Sequence, residues 1–303
     1  MVFRWIAMKK HTEARLEDAI VDHLITHGGY VQVDYRKGNA AGRYDQARAL
    51  DPALVLGFIQ STQAKLWDSL QAIHGDSTGT VVLDHLVKEL QTRGMLNVLR
   101  LGFKCYGKRL RVAIFAPSNR MNPETLALYR QNVLSVTRQL YYSETNSNSL
   151  DLVLFLNGLP LVTAELKNPM SGQTVVHAKQ QYKRDRDPHA PIFEFKQRAL
   201  VHFAVDQDQA FMATRLSGDK THFLPFNLGN QGRAGNPPAA DGGYRTAYLW
   251  REVWQRDSLM DILGRYMHLQ VDDKRILTDQ GIKKISKETM IFPRYHQLDA
   301  VRR

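Results

Sequence analysis

The chain has 303 residues, 43% of them hydrophobic, which allows one large domain or two ordinary ones around a sizeable core. Its 41 Lys and Arg against 30 Asp and Glu leave a formal charge of +11, and the isoelectric point near 9.7 favours a polyanionic partner, nucleic acid first. No run of about 18 apolar residues spans a membrane, the start MVFRWIAMKKHTEARLED turns charged too early for a signal peptide, and the single Cys105 excludes internal disulfides and thiolate clusters; a cytoplasmic protein is expected.

In chain order, HTEARLEDAIVDHLITHGGY predicts a helix capped by Thr12, with Leu16, Ile20 and Leu24 on one face and Gly28-Gly29 as its stop. Further helices are expected at 53–73, opened by Asp51-Pro52, and at 81–92, closed by Gly94. The period then changes. LRLGFKCYGKRLRVAIFAP alternates like a strand, NPETLALYRQN is a short helix opened by Asn122-Pro123, and VLSVTRQLYY is a strand. NSNSLDLVLFLNGLPLVTAELKNP reads as two apolar strands around a turn, and TVVHAKQQYKRDRDP as a helix halted at Pro188. ALVHFAVDQDQAFMATRL is strand-like with a turn at 206–209, GNQGRAGNPPAADGGY is a long loop, and AYLWREVWQRDSLMDILGRYMHLQ is helical. Helices followed by a mixed sheet that a helix interrupts point to an α/β core with N-terminal elaborations.

Three charges stand out in the apolar hairpin. Glu165 and Lys167 share a face because side chains alternate along a strand. Whether Asp151 joins them depends on the turn. A two-residue turn at Asn157-Gly158 sets Asp151 and Glu165 on opposite faces, whereas a three-residue connection, Asn157-Gly158-Leu159, with a glycine bulge sets them opposite each other on one face. Two facing carboxylates repel unless a cation lies between them, and oxygen-only ligation suits Mg²⁺. Such a cation polarises a phosphodiester, and Lys167 could orient the attacking water or offset developing charge. Lys179, Lys183, Arg184 and Arg186, with His177 and Tyr182, put a basic surface on the following helix, suited to a DNA backbone. As surface trim the same three charges would mean nothing chemical.

The run Asp151–Pro169, with NGLPL and ELKNP together, resembles the nuclease core of the restriction (motor) subunit of type I restriction-modification enzymes, members of the PD-(D/E)xK nuclease superfamily. The acidic first helix, QQYKRDRDP, and FPRYHQLDAVRR, which is similar to the adenine-sensing segment before the first ATPase motif, extend the resemblance over most of the chain. It implies a mixed central sheet flanked by helices, with N-terminal helical elaborations, as an endonuclease domain over 1–240. Residues 241–303 would be linker helices and the start of an ATP-dependent DNA translocase, truncated before its phosphate-binding loop. It further implies Asp151 and Glu165 as metal ligands for Mg²⁺, Lys167 as the catalytic lysine, Glu17 as a further acidic contributor, and Gln297 as the residue contacting the adenine of ATP. Gln180 and Tyr182 would be the helix pair that often assists, although the family spaces that pair four apart and here Gln180 and Gln181 precede Tyr182 by two and one. Expected partners are double-stranded DNA and the specificity and methylation subunits, with no membrane.

Other motifs point elsewhere. GFKCYGKR approximates a phosphate-binding loop, but Arg109 stands where Ser or Thr must reach Mg²⁺ and a strand rather than a helix follows, so this chain is expected not to hydrolyse ATP. His23 and His27 are four apart on a helix, and Leu249, Trp250 and Trp254 form an apolar stripe; a partly exposed helical pair and core or inter-domain packing are the expected readings. A non-catalytic DNA-binding or assembly module, or a stand-alone repair nuclease, is the competing function.

Overall fold

The computed structural model describes residues 2–36, 43–117, 122–278 and 281–302. Among them, seven strands form one mixed sheet: β1 (Tyr30–Gln32), β4 (Leu134–Tyr141), β5 (Ser149–Leu156), β6 (Leu159–Leu166), β7 (Val201–Val205), β8 (Ala210–Ala213) and β9 (Leu224–Pro225), side by side in that order. β1 runs parallel to β4 and β6 parallel to β7, and the remaining neighbours are antiparallel. The short edge strand β1 was not anticipated. Two small hairpins stand outside the sheet, β2 (Phe103–Cys105) with β3 (Lys108–Leu110) and β10 (His268–Thr278) with β11 (Gly281–Ile291).

Both faces of the sheet are covered. Leu152, Leu154, Leu156, Ala164, Leu166 and Phe203 bury against the helical layer, where α1 (Val2–Thr26) supplies Leu16, Ile20, Val21 and Leu24, all fully buried. That layer also contains α2 (Pro52–Thr62), α3 (Ala64–His74), α4 (Thr78–Arg93), α5 (Met95–Leu101) and α6 (Pro123–Arg130). Val153 and Phe155 bury on the opposite face with Tyr182 of α7 (Val175–Arg184) and with Ile192 and Phe193. Beyond residue 240, Leu249, Trp250, Val253 and Trp254 enter the same core as the sheet, Trp254 packing edge-on against Phe203. No helix among the described residues is long and apolar enough to cross a membrane.

Several local expectations need correction. Thr12 does not cap a helix: neither Pro nor Gly interrupts Val2–Thr26, and the helix passes through it. The helix expected over 53–73 breaks at Gln63 (φ −142°, ψ 42°). There the side-chain amide pairs with Arg111, donating to its carbonyl at 2.9 Å and accepting its N–H at 2.7 Å. This explains the next difference. Residues 95–101 are helical, 103–110 form only the small hairpin, and 111–115 join no strand, because their backbone groups find partners in the side-chain amides of Gln63, Asn132 and Asn157. The long C-terminal helix is also shorter than expected: π-helical turns at Leu249–Val253 and Ile262–Tyr266 flank α8 (Arg256–Asp261), and from His268 the chain is β10. The last helix is α9 (Tyr295–Arg302).

Candidate active site at the open end of the β5–β6 hairpin

The hairpin turn has two residues, not three. Leu156 pairs with Leu159 across Asn157 (φ 50°) and Gly158 (φ 83°), the doubly left-handed turn that Asn-Gly favours. The turn is buried. Asn157 exchanges hydrogen bonds with Val133 through both backbone and side chain and donates to the Val112 carbonyl at 2.8 Å, while the Gly158 carbonyl accepts from Asp51 N–H. By turn length alone Asp151 and Glu165 would fall on opposite faces. The register then shifts. Phe155 pairs with Pro160 but Leu154 with Val162, Val153 with Thr163 and Leu152 with Ala164, so Leu161 is an extra residue in a bulge. One step further, that register sets Asp151 opposite Glu165. The expected facing geometry thus exists, but the inserted residue lies inside the strand rather than in the turn.

At this end the ladder gives way to side-chain contacts. Asp151 Oδ2 accepts the Leu166 N–H at 2.8 Å and lies 4.0 Å from Lys167 Nζ. Glu165 is fully buried; Oε1 accepts from Arg186 Nε at 2.7 Å, and Oε2 is buried with no hydrogen-bond partner among the described residues. Burial, and next the charge of Asp151, push the Glu165 carboxyl well above the usual carboxylate range, while Arg186 and Lys167 oppose that shift. Glu17 of α1 joins the group. Gln139, in β4 with a left-handed backbone (φ 49°), reaches Glu17 Oε2 at 3.4 Å and Asp151 Oδ1 at 3.3 Å, its own Oε1 accepting from Ser149 Oγ at 3.0 Å. Burial raises the Glu17 carboxyl, against the lowering effect of nearby Arg138.

The structure therefore brings Asp151, Glu165, Lys167 and Glu17 together and disperses the other candidates. Tyr182 is fully buried against the face of β6 that also carries Glu165, its hydroxyl 2.7 Å from Thr163 Oγ1, which in turn lies 2.9 Å from His202 Nδ1. Burial raises its phenol well above the normal range, and it sits in a core network instead of a substrate surface. Gln180 is exposed and makes no hydrogen bond to Asp151, Glu165 or Lys167 among the described residues. Arg186 is the largest correction to the basic surface: it is 4% exposed and faces inward. Its Nη2 donates to the Ser149 carbonyl at 2.7 Å. Lys179 packs over the Phe211 ring at 4.0 Å, and burial followed by the charge of Lys183 lowers its ammonium. Arg184 is 70% exposed and Lys183 half-buried. Gln297 caps α9, its Oε1 accepting from Arg294 N–H at 2.9 Å, and borders a cleft of about 450 Å³ with Arg215, Lys220 and His222.

Sequence reading missed Gln139 and the inward turn of Arg186. Nothing in VTRQLYY distinguishes Gln139. Arg186 did carry a signal, since it extends the buried stripe Ala178–Tyr182 by another four residues past the end of α7. GFKCYGKR is the β2–β3 hairpin turning at Tyr106-Gly107, His23 and His27 stack on each other and bond Gln255 and Thr26 respectively, and Trp250 and Trp254 are core.

No group of three or more His, Cys, Asp or Glu side chains converges on a metal position among the described residues. Two carboxylates are nonetheless a fitting set for Mg²⁺, which retains several waters and takes one or two carboxylates from protein. The buried Glu165 Oε2, without a hydrogen-bond partner among the described residues, is the feature that such a cation would fit.

Residues 10–221 match a family model described as type I restriction enzyme R protein N terminus. A curated relative from Methanocaldococcus jannaschii, named a putative type I restriction enzyme MjaVIIIP endonuclease subunit, is 22% identical over 187 residues, covering 61% of this chain. The chain spans 16% of that relative's length.

Proposed function

The chain belongs to the family of type I restriction enzyme R protein N termini, and on that premise we propose that the open end of β5–β6 is a metal-dependent, PD-(D/E)xK-type site that cuts double-stranded DNA. The carrying observation is the meeting of Asp151, Glu165 and Lys167 at one sheet end through the Leu161 bulge. Asp151 and Glu165 would hold Mg²⁺, which when bound supplies Lewis-acid polarisation of a phosphodiester oxygen. Lys167, held beside Asp151, presents an ammonium that can orient the attacking water and offset the charge growing on the phosphate. Glu17 and Gln139 keep Asp151 in place from the α1 side. Exposed Arg184, with Lys183, gives the adjoining surface the charge to position a DNA backbone, while Arg186 belongs to the site's interior.

In the whole enzyme this site would act beside an ATP-driven translocase, with specificity and methylation subunits selecting the target, and Gln297 would reach the adenine of ATP. The test is Glu165→Ala and Lys167→Ala in the assembled enzyme, scoring cleavage and ATP hydrolysis separately. Loss of cutting with ATP hydrolysis intact is expected. Cutting that survives both substitutions overturns the assignment.

A further inference from the structure

Arg186 is a buried guanidinium that the cutting chemistry just described does not use. It lies past the end of α7, where Asp185 ends the helix with φ −106° and ψ −3°, and it reaches two strands at once. Nε donates to Glu165 Oε1 on β6 and Nη2 to the Ser149 carbonyl on β5, both at 2.7 Å, and its guanidinium carbon lies 5.8 Å from the Tyr142 ring centroid. Ser149 stands two residues before Asp151. The fork therefore spans the gap between the strand that carries Asp151 and the strand that carries Glu165, just where their backbone pairing has ended at Leu152 and Ala164. It also occupies only one oxygen of Glu165, leaving Oε2 buried and without a hydrogen-bond partner among the described residues.

We propose that Arg186 is a positioning residue for the metal site: its two-strand clamp sets the separation of the Asp151 and Glu165 carboxylates and turns Glu165 Oε2 towards the cation. This rests on the reading of Asp151 and Glu165 as the metal pair. A planar, rigid fork suits the task, because the three donors of an ammonium radiate from one nitrogen on a flexible stem and do not hold two acceptors on different strands in fixed directions. Charge alone acts in two opposing ways, since a cation beside the site repels the metal but also stabilises the Glu165 carboxylate it bonds, so the variant that keeps the charge and loses the fork isolates the positioning.

The inference is testable by Mn²⁺ titration of the chain, followed by electron paramagnetic resonance and counting only the binding that Glu165→Gln removes. Arg186→Lys keeps the charge and removes the fork, and its Mn²⁺ affinity is expected to fall about tenfold or more, the usual effect of losing an orienting partner. Arg186→Met removes both and is expected to bind more weakly than the parent despite the lost repulsion. If Arg186→Lys binds like the parent, or Arg186→Met binds more tightly, the clamp is refuted while the metal site stands. If Glu165→Gln removes no Mn²⁺, the metal site itself is refuted, and the clamp with it. Thermal melting of each variant reports whether it folds, and should Arg186→Met fail to fold, Arg186→Lys decides alone.

Discussion

Two glycines in doubly left-handed hairpin turns provide an internal control for how tightly the β5–β6 turn is built into the fold. Gly107 (φ 76°) closes the small β2–β3 hairpin, and a Cβ added there meets nothing within 4 Å among the described residues. Gly158 (φ 83°) closes β5–β6, and its Cβ would stand 2.5 Å from the Asp51 carbonyl oxygen and 2.9 Å from Leu54 Cβ. Substituting either by alanine incurs the left-handed backbone cost, roughly 1–2 kcal/mol. Only Gly158→Ala must also push the N-terminus of α2 away or open the turn, an overpacking term of about 1–3 kcal/mol more. The excess loss for Gly158→Ala over Gly107→Ala is then about 1–3 kcal/mol, read as a lower urea midpoint at unchanged slope. Equal losses would refute the argument that the turn docks on α2.

Three further outcomes follow from the site. Tyr182→Phe removes one buried hydroxyl from Thr163, so stability should fall by about 0.5–1.5 kcal/mol with cleavage by the assembled enzyme nearly unchanged; a hundredfold drop in rate would mark Tyr182 as a participant. Gln139→Gly relieves a left-handed backbone worth about 1 kcal/mol but drops the amide between Glu17 and Asp151, so urea denaturation should show no loss of stability while cleavage declines; a destabilised but fully active variant would sink this reading. Burial pushes His202 down to about 3 from an ordinary 6.5. Between those values the unfolded chain binds the extra proton, so stability drains as pH falls from 6.5, by up to ~1.4 kcal/mol per pH unit. His202→Gln should flatten the urea midpoint between pH 6.5 and 5, and an unaltered slope would exclude His202 as its source.

Elements with strong local punctuation were legible in the sequence. Asp51 and Asn122 cap α2 and α6 as anticipated, Thr174 caps α7, and Asp206 closes the β7–β8 turn by accepting from Asp208 and Gln209. The bulge was not legible, because all eight residues of LPLVTAEL are buried and a strand without polar alternation carries no mark of its register. The 111–115 segment misled for a related reason: its pattern suits a strand, yet side-chain amides from three distant residues take the place of a neighbouring strand. Of the candidate site, Asp151, Glu165 and Lys167 could be singled out because charge is conspicuous in an apolar hairpin. Arg186 could not be told from its exposed neighbours by charge, since KRDRD reads as a solvated run.

The Asn157-Gly158 turn has a chemical consequence as well as a geometric one. In a flexible chain, Asn followed by Gly is the pair most prone to cyclise and lose its amide nitrogen, since glycine leaves the attacking backbone nitrogen unhindered. In the folded protein that amide is 1% exposed and pinned by Val133, Val112 and Asn132, which holds it away from the cyclisation geometry. An aspartate or isoaspartate formed while the chain is open would bring a carboxylate where two acceptors, the Val112 carbonyl and Asn132 Oδ1, require a donor. Such a chain would refold with two buried acceptors left without a donor, so the stability of the hairpin depends on the turn amide staying intact.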